Sequence, residues 1–236
     1  MNFDRYVFAS PYFGWLCRGV VMTLVISLLS GTAAACVGIG VARLRLSPHG
    51  YLRTAASAFV IIFRNLPLVP LLLFLTFGLP GLWSQLTGDT FPRGFEFYLL
   101  ILGLSANTGA YFTEILRAGV LGVAPQQQQV ARTMGLSTAA IRWYVVYPQA
   151  VRIVAPALAT RWIHNMKNSA LALVVPLPVG LMEVVGQAGR IAGETFSWAE
   201  PLIVVAAIHL VLSLGTGRFL NRWASRAQAR VEARPA

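Results

Sequence analysis

The sequence predicts an all-α integral membrane bundle of about five transmembrane helices. Three observations predict it. First, 56% of the 236 residues are hydrophobic and only 11% are charged, whereas a soluble domain carries about 25% charged residues. A soluble fold of this length would lack polar groups to cover its surface. Second, five long apolar stretches follow one another. Third, the basic residues are distributed unevenly between the segments that join those stretches.

One transmembrane domain is expected over 14–225, followed by a basic tail at 226–236. The first span, about 16–43, contains "GVVMTLVISLLSGTAAACVGIGVA", 24 uncharged residues. At about 1.5 Å per residue this crosses a hydrocarbon core of about 30 Å. The run is longer than a signal-peptide core and no clean cleavage site follows it, so it reads as retained. The second span, about 52–79, is interrupted by Arg64, Pro67 and Pro70. The third covers about 97–118, the fourth 151–177 with Arg161 and Lys167 inside it, and the fifth 201–220. Five spans place the termini on opposite sides.

The net charge is +11. The basic residues show no stripe with interleaved aromatics, so the excess does not read as nucleic-acid binding. Twelve arginines fall after span 1, between spans 3 and 4, and after span 5, and four (Arg5, Arg18, Arg93, Arg190) fall on the other side. Cytoplasmic loops accumulate basic residues. The N-terminus is therefore expected outside and the C-terminus inside, and the arginine tail reads first as a solvated helical end and otherwise as a segment resting on anionic membrane lipid. Cys17 and Cys36 have no CxxC spacing, and His49, His164 and His209 lie far apart. Neither a disulfide framework nor a metal site is indicated.

The loop at 121–149, "APQQQQVARTMGLSTAAIRWYVVYPQA" in its main part, is the polar feature of an oily chain. Ala124–Pro125 can open a helix, and Gln126–Met134 are mostly good helix formers. Gly135 should stop that helix, Ser137 should cap the next, and Pro148 should end it after Tyr147. A helix, turn and helix in a loop this long suits either a docking element or an amphipathic hairpin on the headgroups.

Here the chain resembles the permeases of ABC-type importers, and within them the polar amino-acid uptake branch. "GVAPQQQQVARTMGLS" followed by "YVVYPQAVRIVAPAL" is similar to the cytoplasmic signature loop of that family. "FRNLPLVPLLLFL", "SANTGAYFTEILRAGV", "HNMKNSALA" and "LMEVVG" resemble further family segments, in the same order, over about 14–225. The resemblance implies a cytoplasmic coupling-helix loop between spans 3 and 4 that sits in a groove on a separate ATPase subunit. By match to the family, Gln129, Val130, Ala131, Arg132, Gly135 and Leu136 would carry that contact. Where the family usually has Glu-Ala-Ala this chain has Gln129-Val130-Ala131, which removes the charge-assisted part of any hydrogen bond there. Gln126-Gln127 stands where the family has Gly-Gln.

The resemblance implies an ATP-driven importer of polar amino acids in a bacterial inner membrane. The glutamate/aspartate side is suggested by "MKNSALA" and the missing Glu. Implied partners are two cytoplasmic ATP-binding subunits, a sister or identical permease subunit and a periplasmic solute-binding protein. ATP and Mg would be bound by the partner ATPase. This chain has no G-x-x-x-x-G-K-[ST] phosphate loop, no G-x-S-x-G turn and no H-E-x-x-H helix, so no cofactor and no catalytic constellation is expected on it. A gradient-driven carrier that works without an ATPase is the alternative.

Charged residues inside a span cost about 2.5–3.5 kcal/mol at its centre and so are functional candidates. Arg64, Asn65, Asn107, Lys167, Asn168 and Ser169 are the candidate solute-pathway residues. Arg64 could instead snorkel to an interface, and Lys167 could pair with a carboxylate or with carbonyls at a subunit contact. Glu114 and Arg117 are three apart on one helix face, where a structural ion pair is expected. The 182–200 region, with Gly189 and Gly193 four apart, is expected outside as a lid or a landing surface for a solute-delivering protein.

Overall fold

The computed structural model describes residues 3–92 and 94–232. The side chains of 226–236, and of Arg5, Tyr6 and Arg93, lie outside the described residues. The described residues form helices and connecting turns, with no strand among them.

After a single wide turn at Asp4–Phe8, helix α1 runs from Tyr12 to Arg45. Its 34 residues reach about 50 Å, more than the hydrocarbon core needs. Helix α2 spans Gly50–Asn65 and α3 spans Leu68–Thr87. Helix α4 is Glu96–Leu121, and the short α5 is Pro125–Thr133. Helix α6 is Tyr147–Asn168, entered through a turn at Thr138–Ala140 and a π-turn at Ile141–Val146. It continues into a tighter 3₁₀ segment at Ser169–Val174. Helix α7 is Val184–Thr195 and α8 is Ala199–Glu232.

Four helices, α1, α3, α4 and α8, are long and apolar enough to cross a membrane. Helix α6 carries Arg152, Arg161 and Lys167. Its packing nonetheless takes it the same distance. A Cβ on Gly119 of α4 would meet Ala150 and Val154 of α6, Thr108 bonds to Asn165, and Leu100 shares a core with Ala172 beyond the end of α6. The two helices therefore run antiparallel side by side.

The second traverse is a broken helix. Leu66 and Pro67 are extended, with ψ of 127° and 134°, because a proline disfavours helix at the residue before it. Asn107 of α4 reaches Phe63 of α2, and Gly103 faces Leu72 of α3. Both halves thus run antiparallel to α4 and make one passage.

Helix α4 is the axis of the bundle. Residues 103–110 are all buried, and Gly, Ser and Ala among them let neighbouring backbones approach. A Cβ on Gly38 of α1 would lie 2.6 Å from the Cβ of Phe112, and one on Gly109 would lie 2.9 Å from Cγ1 of Val37. Any larger side chain at that crossing would force α1 and α4 apart. Helix α8 is the opposite case. Only 11% of its apolar window is buried, and Leu210 and Val211 stand open as lipid-facing positions.

Pro148 does not stop its helix, contrary to the sequence expectation. The chain continues into α6 with Pro148 in its first turn. Proline removes one N–H and clashes with the carbonyl four residues back. The wider π-turn at Ile141–Val146 sits where that clash would occur and relieves it.

Helix α7 lies at the end of the bundle opposite α5. The Glu183 carboxylate caps it, accepting from the N–H groups of Val185 at 2.7 Å and Gly186 at 2.8 Å. It packs against Leu16 of α1 and Val205 of α8. A Cβ on Gly193 would meet nothing within 4 Å and one on Gly189 only Leu173 at an ordinary 3.7 Å, so neither position needs glycine for packing among the described residues.

Candidate functional site

Two arrangements stand out, one at mid-bundle and one in the 121–149 loop. The first begins at the α2–α3 break. Losing the helix there frees the carbonyl of Phe63, which accepts from the Asn107 Nδ2 at 2.8 Å. The carbonyl of Arg64 accepts from the Tyr111 hydroxyl at 3.5 Å. The broken turn is thereby tied to α4.

Arg161 of α6 joins from the other side. Its Nη2 donates to the Asn107 Oδ1 at 2.7 Å, and its guanidinium lies 3.8 Å from the centre of the Tyr111 ring. The Arg64 guanidinium lies 5.1 Å from the same ring. Two cations thus share one aromatic ring, an attraction of about 0.5–2 kcal/mol each. Neither is paired to a carboxylate among the described residues, since Glu114 and Glu194 take the ion pairs. The Arg161 Nε is buried without a hydrogen-bond partner. Arg64 and Asn65 are exposed and Tyr111 is half-buried, so the cluster opens to one side of the chain.

The structure therefore brings Arg64 and Asn107 together and adds Tyr111 and Arg161, while Asn65 is exposed beside Arg64. Sequence reasoning recorded Arg161 inside a span but did not nominate it, and passed over Tyr111. Lys167 lies six residues past Arg161, about 9 Å further along and turned about 120° away. It is exposed, Asn168 is half-buried, and the Ser169 hydroxyl is buried, donating to the Met166 carbonyl at 2.6 Å. These three do not join the cluster.

One turn deeper, Asn165 is fully buried. Its Oδ1 accepts from Thr108 at 2.9 Å, and its Nδ2 donates to the Ser30 hydroxyl at 2.8 Å and the Ser27 carbonyl at 3.2 Å. It pins α1, α4 and α6 to one another.

Glu114 is held by Arg117 at 3.3 Å as expected, and also by Arg45 of α1, which sequence reasoning missed. The node fastens the end of α1 to α4. No group of three His, Cys, Asp or Glu that could hold a metal occurs among the described residues.

The second arrangement is α5. Gly135, at φ +82°, ends it in a Schellman turn. The Leu136 N–H donates to the Ala131 carbonyl at 3.2 Å, and the Gly135 N–H to that of Arg132 at 2.9 Å. That pairing needs a left-handed residue. The Ser137 hydroxyl then accepts from the Ala140 N–H at 3.2 Å. Ala131, 6% exposed, packs with Val123, Ile141 and Val146, and Leu136 leans on the same core. These two fasten the element. Gln129, Val130 and Arg132 face outward, and so does Met134, 74% exposed, which the sequence reading did not nominate.

Residues 34–228 match the family described as binding-protein-dependent transport system inner membrane component. The arginine transport system permease protein ArtQ of Bacillus subtilis is 29% identical over 91% of this chain and 92% of its own length. The nopaline transport system permease protein NocQ of Agrobacterium fabrum is 31% identical over 90% and 93%. Among solved structures, an amino acid ABC transporter with histidines is similar at a TM-score of 0.79 and 30% identity, covering 91% of this chain and 95% of that one. The methionine transporter MetNI shares the fold, at a TM-score of 0.73 and 21% identity over 93% and 99%. With the family match extending over most of its length, this multi-pass chain belongs to the inner-membrane permease components of binding-protein-dependent ABC transport systems.

Proposed function

We propose that this chain is the permease subunit of an ATP-driven importer of polar amino acids, with glutamate and aspartate as the first candidates. The observation that carries the reading is the pair of uncompensated guanidinium groups, Arg64 and Arg161, on Tyr111. Every amino acid offers an α-carboxylate that a guanidinium can bind bidentately. An acidic side chain offers a second carboxylate for the second guanidinium. Arginine, glutamine, octopine and nopaline, for which relatives are named, each carry an α-carboxylate. Exposed cations at membrane depth are unfavourable against lipid. The face bearing Arg64 and Asn65 therefore turns toward a sister or identical permease subunit, with solute passing between.

The loop at 121–149 serves as the coupling element. Gln129, Val130 and Arg132 present a surface to one of two cytoplasmic ATPase subunits, while Ala131, Gly135 and Leu136 fix its angle. ATP and Mg are bound by those subunits. The N-terminus is outside and the C-terminus in the cytoplasm, so α7 faces the periplasmic solute-binding protein. Alternating access then follows as a shift between two states, each gripped differently by the partners.

The test is uptake into proteoliposomes holding the chain with its ATPase, sister subunit and binding protein. ATP-dependent uptake of labelled glutamate or aspartate, lost when the ATPase is omitted, is the expected result. Uptake by the purified chain alone under an ion gradient would favour the secondary carrier. Preferred uptake of neutral or cationic amino acids would remove the acidic specificity.

A further inference from the structure

We infer that the chain holds an anionic phospholipid in a trough between α1, α4, α6 and α8, with the phosphate at Arg43 and Arg142. Three cavities lie end to end. The first, of about 430 Å³, is walled by Ala35 and Ile39 of α1, Phe112 of α4, Leu158 of α6, and Phe219 and Trp223 of α8. A second, of about 230 Å³, shares Ile39 and Leu116 with the first. A third, of about 600 Å³, shares Arg43, Val120 and Tyr147 with the second.

The residues step one helical turn at a time, through 35, 39 and 43 on α1 and through 112, 116 and 120 on α4. The path from Ala35 to Arg43 is therefore about 12 Å long. One leaflet of a hydrocarbon core is about 15 Å deep, so the trough suits one acyl chain.

Its character changes along that path. The first cavity is apolar, the second is apolar apart from Arg43, and the third, which shares Arg43, adds Ser47, Gln128 and Arg142. Arg43 lies 5.7 Å from the centre of the Trp143 ring, and Tyr147 lines the boundary. Tryptophan and tyrosine favour headgroup depth. No Asp or Glu lines any of the three cavities. Two uncompensated guanidiniums at headgroup depth complement a phosphodiester, and each favours an anionic lipid. A second copy of this basic chain would bring like charge to the same end. The headgroup would touch Pro125 and Gln128 in the first turn of α5, joining the lipid to the base of that element. Only the assignment to the cytoplasmic leaflet rests on the orientation proposed above.

Native mass spectrometry of the full chain in detergent, titrated with phosphatidylglycerol or phosphatidylcholine, tests this apart from transport. Wild type should retain phosphatidylglycerol preferentially. The R43Q/R142Q double variant should lose about thirtyfold in that affinity, at roughly fivefold per guanidinium. R43K/R142K, which keeps both charges, should restore most of it and also controls for folding. Ile39→Trp, which fills the junction of the trough with both arginines in place, should weaken retention too. Equal retention of the two lipids overturns the proposal, as does a preference that survives the double glutamine change. A dimer that Ile39→Trp dissociates, with lipid retention unchanged, would show the trough to be a subunit contact and overturn it equally.

Discussion

Helices α4 and α6 carry two polar clusters one turn apart, and the two are completed to different degrees. At Asn165 every side-chain polar atom has a partner: Thr108, Ser30 and the Ser27 carbonyl. At Arg161 the guanidinium keeps an unbonded Nε and no counter-ion among the described residues. Asn165 and the Arg161 Nε are both buried, where an unsatisfied polar group is unfavourable. The saturated cluster locks helices together. The unsaturated one still has bonds to offer, which is what a transient ligand needs.

The strongest way to break that comparison is Arg161→Gln in the reconstituted transporter. The variant keeps a donor for Asn107 and loses the charge. A charged hydrogen bond contributes about 1.5–3 kcal/mol, so uptake should fall about 10- to 100-fold. Thermal unfolding in detergent should change little. A large loss of stability with uptake intact would place Arg161 with Asn165 as a structural group.

Asn165→Ala should do the reverse. Three hydrogen bonds at about 0.6 kcal/mol each in a membrane interior sum to about 2 kcal/mol. The ratio of folded to unfolded protein should drop by about thirtyfold at fixed denaturant, with the affinity of the surviving protein for solute unchanged. A changed solute affinity at normal stability would mean that the saturated cluster also lines the path.

How far each cluster can be read from sequence differs for a physical reason. Arg64 shows itself, because a charge beside two prolines in an apolar run has no local use. The Schellman turn at Gly135 and the Ser137 cap are equally legible, since both depend on residues within five positions. Arg161 was visible as a charge in a span, but its significance depends on Tyr111 and Asn107, which lie about fifty residues away. Only the α4–α6 register brings them together. Pro148 misled because a proline reads locally as a stop, whereas the preceding π-turn absorbs it. Arg45 could not be paired with Glu114 without knowing where α1 ends against α4. Spacing along one helix therefore identified Glu114–Arg117, and only packing identified the third member.

Gly135→Val sharpens the role of α5. A Cβ there meets nothing within 4 Å, so space is not the issue. The backbone at φ +82° is, and holding the left-handed region costs a β-branched residue about 1–2 kcal/mol. The turn should relax and re-aim Gln129 and Arg132. ATP hydrolysis by the complex should continue while uptake per ATP falls severalfold. Gly135→Asn, which tolerates this conformation, should stay close to wild type. Normal coupling in the valine variant would argue against α5 as the docking element.

The smallest effect is expected at Lys167. It belongs to the "MKNS" segment of α6, yet it is exposed and points about 120° away from Arg161. Its place in the last turn of α6 suits a cation near helix carbonyls, an interaction of about 0.3–1 kcal/mol. Lys167→Gln should therefore change uptake by less than about threefold, appearing as a small loss of stability and not as a higher KM for solute. The same measurement on Arg64→Gln should raise KM clearly, because Arg64 faces Tyr111 directly. If instead Lys167→Gln raised KM tenfold and Arg64→Gln left it alone, solute would be held at the C-terminal end of α6. The open cluster on Tyr111 would then be a stacking contact between subunits, and the contrast with Asn165 would lose its functional meaning.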